Sequence, residues 1–337
     1  MHKVVRRGRH KIKSSITHAC IFQSRNKKMA SSQHTFTIDD QAHIFDEREM
    51  DIKIETDKFG KTIKYMMFRG LHYSPAYVPS ILEQAKDVSM RPDDIYLCAY
   101  PRTGTHWTFE MVNMLLCGKA ETIQTSKGKH HLEVVAKGLS KLPSPRFIDT
   151  HFRLSDGPEE LKEKKCKVIY NLRDPRDVAV SLYHTYVDMQ VLECECSFEG
   201  FLYLFLEGKA EVDGVFDHWL DAEEFVKKNP DIPVHFNIYE ETIKNPQLAV
   251  QRLSDFLGLP RNDELCQAIA DKCHFSNMKR DKEKYAIKVD GKNILYRKGT
   301  VGDWKNYFTD QMLDDYYRVY EEKMSGSRFY KLYARNT

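Results

Sequence analysis

A chain of 337 residues is long enough for one large domain or two ordinary ones, and 41% apolar with 30% charged residues is the balance of a globular protein. Its longest apolar run, Phe201-Leu-Tyr-Leu-Phe-Leu206, falls far short of the roughly 20 residues that span a bilayer, which argues against a membrane partner. The eight cysteines include no two pairs at zinc spacing, so neither a zinc module nor a disulfide framework is expected, and reduced, cytoplasmic surroundings are the simplest reading.

The net charge of +3 is unevenly spread: residues 1–38 hold nine Lys and Arg and no Asp or Glu. This arm reads as a basic, disordered extension, with residues 39–337 as the folded domain. A transit-like segment, a nucleic-acid-binding arm and a stretch upstream of an ordinary start at Met29 are its alternatives.

The most informative segment comes next. Residues 100–107 read Tyr-Pro-Arg-Thr-Gly-Thr-His-Trp. The apolar, aromatic run 95–100 before them suits a buried strand. The run Thr108–Leu116 after them repeats apolar residues at helical spacing and stops at Gly118, a helix-ending signal. A loop carrying a cation, hydroxyls and one glycine therefore opens a helix directly after a strand, and free backbone N–H groups at such a start favour an anion. Gly-Lys-Ser/Thr is absent, so the lysine and magnesium-binding hydroxyl of ATP- and GTP-users are missing, which makes a P-loop kinase the least favoured reading.

Further strands are predicted at 146–151, 166–172 and 233–238. Helices are predicted at 105–117, 175–189, 197–207, 213–227, 246–257, 262–271 and 309–324. Such alternation predicts an α/β fold: a single domain with a central parallel sheet flanked by helices, and ligands at the carboxyl ends of its strands. Residues 281–303 are polar, basic and without periodicity, and read as a long functional loop. Aromatic and Met residues near 65–68, 73–77 and 183–189 are candidates for an apolar pocket, or equally for ordinary core.

The wording of the 100–107 loop resembles the 5′-phosphosulfate loop of the cytosolic sulfotransferases. Two more segments fall where that family has them: Val168-Ile-Tyr-Asn-Leu-Arg-Asp-Pro-Arg-Asp-Val-Ala-Val-Ser-Leu-Tyr-His184 and Tyr296-Arg-Lys-Gly-Thr-Val-Gly-Asp-Trp-Lys-Asn-Tyr-Phe308. The resemblance spans roughly residues 60–330. It implies a P-loop-like phosphosulfate-binding strand–loop–helix. It also implies 3′-phosphoadenosine 5′-phosphosulfate (PAPS) as co-substrate, no metal, and a small acceptor bearing a hydroxyl or amine. By the same resemblance Arg102, Thr103, Gly104, Thr105 and His106 form the 5′ loop, with Trp107 stacked on the adenine. Arg173 and Ser181 match the first 3′-phosphate element, and Arg297, Lys298 and Gly299 the second. Tyr239 and Phe275 match positions near the adenine more weakly. Arg102 stands where the family has lysine, keeping the charge in a planar form. His106 replaces a threonine, and its charge is expected to vary near neutral pH.

His151 sits in Phe147-Ile-Asp-Thr-His-Phe152, which resembles the family's Lys-Thr-His segment, and the resemblance makes it the candidate general base, with Arg102 assisting catalysis. Period 2 places Phe147, Asp149 and His151 on one strand face. Asp149 stands where many members have lysine, so a negative charge is expected to face the acceptor and favour amine-bearing ones. A catalytically impaired nucleotide-binding relative and a retinol-dehydratase-like enzyme are the alternative readings. The family's dimer signature is not evident before Cys273, which leaves a homodimer open; no nucleic-acid partner is expected.

Overall fold

The computed structural model describes residues 33–38, 41–46 and 50–335, apart from 261, 287, 290 and 291. Most of the basic arm lies outside these residues, but its last six form a strand, β1 (Gln33–Ile38), which pairs antiparallel with β2 (Gln41–Asp46). A three-stranded antiparallel sheet follows, β3 (Ile52–Thr56), β4 (Thr62–Phe68) and β5 (Leu71–Tyr73). Its central strand buries Ile63, Tyr65, Met66 and Phe68.

The centre of the molecule is a four-stranded sheet of β6 (Ile95–Cys98), β7 (Phe147–Thr150), β8 (Lys167–Leu172) and β9 (Val234–Ile238), all parallel, in the order β7-β6-β8-β9. Side chains of the two inner strands alternate between two cores. Tyr96, Cys98, Val168, Tyr170 and Leu172 enter one, and Ile95, Leu97 and Ile169 enter the other. A strand buried on both faces has no polar side to show, which is why the sequence reads as continuous apolar runs here.

The helices are α1 (Pro79–Gln84), α2 (Thr105–Cys117), α3 (Leu132–Val135), α4 (Glu160–Glu163), α5 (Pro175–Asp188), α6 (Phe198–Leu206) and α7 (Val215–Lys228). They continue with α8 (Tyr239–Lys244), α9 (Pro246–Leu257), α10 (Asp263–Lys272), α11 (Phe275–Asp281), α12 (Asp310–Met324) and α13 (Tyr330–Tyr333). Local chemistry sets their ends. Asp174 accepts the Arg176 amide ahead of Pro175, and Asn245 accepts the Leu248 amide ahead of Pro246. Gly118 and Gly258 close α2 and α9 in the left-handed conformation. The predicted strands and long helices stand within two residues of these bounds, and the described residues between 282 and 303 form short turns and a hairpin of two-residue strands. No helix among the described residues is long and apolar enough to cross a membrane. Their seven cysteines are all free.

Strand order brings the site together. Arg102 follows β6, His151 follows β7, Arg173 follows β8 and Tyr239 follows β9, so the carboxyl end of every strand in the parallel sheet delivers one candidate residue.

Candidate active site

Of the fourteen residues singled out from the sequence, all but Thr103 line one cavity of about 490 Å³ above the sheet. Thr103 is fully buried and turns away, its hydroxyl donating to the Tyr100 carbonyl at 2.8 Å. The loop turns on two left-handed residues, Arg102 (φ 70°) and Gly104 (φ 96°). Arg102 holds this unusual backbone with help from Arg173, whose Nη1 donates to the Arg102 carbonyl at 2.9 Å. At Gly104 a Cβ atom would stand 2.7 Å from Cδ2 of Tyr239, so only glycine admits that ring beside the loop.

The cationic end of the cavity gathers Arg102, Arg173 and Arg297. Arg102 Nε donates to Ser181 Oγ at 3.1 Å, and its Nη2 reaches the carbonyls of Leu295 and Ile294 at 3.3 and 3.5 Å. Burial, then repulsion from Arg173 and Arg297, pulls its guanidinium down to about 10, so it stays charged at neutral pH. Arg297 and Lys298 both donate to Asp303, at 2.6 and 2.7 Å. Burial pushes the Asp303 carboxyl up, but these bonds outweigh it and hold it at about 2. The loop is moored to α5 by Asp177, which accepts the amides of Gly302 and Trp304 at 2.7 and 2.9 Å. Neither Asp177 nor Asp303 stands out in the sequence as more than a helix and a loop carboxylate.

Three buried donors around this end have no partner among the described residues: Arg173 Nε, Arg297 Nε and Trp107 Nε1. Unsatisfied buried donors are costly, and like charges crowded together more so. A phosphorylated ligand relieves both, so the residues present fit a nucleotide with more than one phosphate. Aromatic walls flank the same space. Trp107 meets Tyr239 edge-on at 5.7 Å between ring centroids, Arg173 lies 4.4 Å over the Tyr239 ring, and a side chain on Gly299 would overlap Phe275. His106 departs from the expectation of variable charge. Burial, then Lys127, holds its pKa well below the ordinary value, so it is neutral near pH 7.

The opposite end centres on His151. Its Nδ1 donates to the Ala99 carbonyl at 2.8 Å, which fixes the tautomer and leaves Nε2 as the acceptor. Its backbone is clamped twice. Glu133 Oε1 accepts the amides of His151 and Phe152 at 2.5 and 3.0 Å and the Thr150 hydroxyl at 2.9 Å, while His218 Nε2 donates to the His151 carbonyl at 3.1 Å. Burial, reinforced by His131 and Lys127, lowers the His151 imidazole to about 3, so it is neutral near pH 7.

Asp149 does not face the acceptor. It is fully buried and absent from the cavity wall, beneath Lys127, whose ammonium it pairs with, and His131, whose Nδ1 lies 2.5 Å from the same Oδ2. Strand parity was a poor guide, because these two partners come from the turn Lys127–His130 and its end and close over the carboxylate. Burial opposes ionisation of Asp149, yet Lys127 and His131 keep its pKa below the ordinary carboxylate value. Lys127 and His131 line the cavity in its place, with the His131 ring 5.0 Å from that of His151. His131, Asp149 and His151 offer ligand atoms within 4.8 Å of one another, so a metal ion there would compete with Lys127 for Asp149. Of the apolar candidates, Tyr77, Tyr186 and Met189 reach the cavity wall, whereas Met66 and Phe68 are core.

Comparison with known proteins places this geometry. The model of the sulfotransferase domain family matches residues 92–328. Sulfotransferase 1B1 of Mus musculus is 33% identical over 264 residues, covering 73% of this chain and 87% of that protein. The crystal structure of mouse sulfotransferase SULT7A1 complexed with PAP superposes with a TM-score of 0.67 at 32% identity, covering 79% of this chain and 96% of that one. Retinol dehydratase in a complex with retinol and PAP shares the fold, with a TM-score of 0.64 at 22% identity over 80% of this chain and 92% of the other.

Proposed function

From the premise that the chain belongs to the sulfotransferase family and is a sulfotransferase, we propose that it transfers a sulfuryl group from PAPS to a hydroxyl or amine of a small, largely apolar acceptor. The observation that carries this reading is the opposition, within one cavity, of a three-arginine end whose buried donors lack partners among the described residues and a neutral histidine whose Nδ1 is fixed on a carbonyl.

Arg102 and the backbone amides at the start of α2 hold the 5′-phosphosulfate oxygens. Arg173, Ser181 and the Arg297–Gly299 segment hold the 3′-phosphate, where the planar guanidinium forks suit a dianion. Trp107, Tyr239 and Phe275 enclose the adenine. PAPS supplies an activated sulfuryl group. His151 Nε2 takes the proton from the acceptor as its oxygen or nitrogen bonds to sulfur, and the fixed charges of Arg102 stabilise the negative charge left on the departing 5′-phosphate.

The PAP held by the solved relative supports this nucleotide class. The test is transfer of radiolabelled sulfate from PAPS to a panel of phenols, alcohols and amines by the purified chain. Labelled product is the expected result. Tight binding of PAP with no labelled product from any acceptor would instead support a non-catalytic nucleotide-binding relative.

A further inference from the structure

Glu211 sits in the connection between α6 and α7 and lines the cavity beside Ser74, Tyr77 and Tyr186. It is only 4% exposed. Its Oε1 accepts the Ser74 amide at 3.2 Å, and its Oε2 accepts the Tyr186 hydroxyl, also at 3.2 Å. These bonds aim the carboxyl but supply no positive charge. Among the described residues no cation acts on it; the one charged group that does is Glu133, of like sign. The titratable groups facing it from the packed elements are Tyr73 and Tyr77 from β5 and the loop after it, Tyr100 from the loop after β6, Glu133 from α3 and Tyr186 from α5. Asp213, two residues on, is engaged by His72 at 2.9 Å.

An ionised carboxylate in an apolar, tyrosine-lined wall without a counter-ion is costly, so this carboxyl is held neutral until a cation completes it. We propose that Glu211 recognises a protonated amine on the acceptor, so that this sulfotransferase selects acceptors carrying an ammonium group as well as the reacting hydroxyl. The proposal rests on the sulfotransferase reading of the cavity. Asp149 does not contribute, because Lys127 already neutralises it.

Burial raises the Glu211 carboxyl to about 8, so near neutral pH the free protein keeps its proton there. Binding an ammonium favours the carboxylate and expels that proton. Affinity for an amine-bearing phenol therefore rises as pH increases through about 8, until the amine itself loses its proton near ~10. A neutral phenol follows neither trend.

The experiment compares tyramine with its neutral counterpart para-ethylphenol. Relative to the wild type, Glu211→Gln is expected to lower the ratio of kcat/KM for tyramine to that for para-ethylphenol by roughly ten- to a hundredfold, the size of one charge-assisted bond. A ratio unchanged within twofold would overturn the proposal. Because that variant disturbs a buried position, a second measurement uses the wild type alone. Calorimetry of tyramine binding to the PAP complex at neutral pH, in buffers of different ionisation enthalpy, should register release of close to one proton, and para-ethylphenol none. Equal release for both ligands would overturn the proposal as well. Failure of every phenol to accept sulfate would defeat the sulfotransferase reading itself, whereas turnover of para-ethylphenol with no role for Glu211 defeats only this inference.

Discussion

The two ends of the cavity solve opposite electrostatic problems. At the nucleotide end, Arg102, Arg173 and Arg297 are crowded together with donors left over, an excess of positive charge that only an incoming anion balances. At the acceptor end the charges are mostly matched internally: Lys127 with Asp149, His131 with the same carboxylate, His151 neutral on a carbonyl, with Glu211 the exception. On the proposed function, one end binds charge and the other moves a proton, so a single cavity would serve both halves of a group transfer.

Replacing the base breaks the acceptor end most severely. His151→Ala should lower turnover by ~10²–10⁴-fold, the usual range for general acid–base catalysis, with melting temperature little changed. Retention of more than half the wild-type rate in a labelled-sulfate assay removes His151 from the chemistry.

Next in size is the internal charge balance. Lys127→Met leaves a fully buried carboxylate with His131 as its remaining partner and should cost up to about 3–5 kcal/mol in denaturant unfolding. The double variant Lys127→Met/Asp149→Asn should recover most of that loss. Asp149→Lys, which restores the residue type of many relatives, should destabilise rather than activate, since it sets two ammonium groups together in a dry site. A stable Asp149→Lys variant would mean the pair is not buried as described.

The pH profile gives a smaller effect that still separates the ends. A histidine whose pKa is depressed keeps its proton-accepting form as pH falls, and loses it only when pH passes the lowered value. With His151 held at about 3, kcat/KM for para-ethylphenol should show no acid limb at the ordinary imidazole value near ~6.5. A clear limb there would show that burial does not hold the imidazole neutral.

The cationic end is the one whose cavity-lining residues the sequence brings to notice, and the reason is physical. Phosphate binding uses contiguous loops at strand ends with fixed residue types, so Arg102–Trp107, Arg173 and Arg297–Gly299 appear as short motifs, and strands buried on both faces announce themselves as apolar runs. The acceptor end depends on pairs far apart in sequence. Lys127 and His131 sit on a turn without periodicity, Glu133 on a helix of four residues, and Glu211 in a charged stretch that reads as surface. Parity placed Asp149 on the side it shares with His151 but could not reveal the lysine that covers it. The charge of His106 was misread for the same reason: burial and Lys127 set it, and neither is visible in the chain. The small sheet β3–β5 escaped notice because β3 is largely exposed and contributes little apolar pattern.

The central claim is that the two ends work separately, one holding the nucleotide and the other the proton. Titration calorimetry of PAP into the wild type, His151→Ala, Arg297→Ala and the double variant tests it most directly. The account predicts that Arg297→Ala weakens PAP by about ten- to a hundredfold while scarcely affecting 5′-AMP, that His151→Ala changes PAP affinity by no more than a few-fold, and that the two effects add within about 0.5 kcal/mol. A tenfold loss of PAP affinity on His151→Ala alone, or equal weakening of PAP and 5′-AMP on Arg297→Ala, would contradict it.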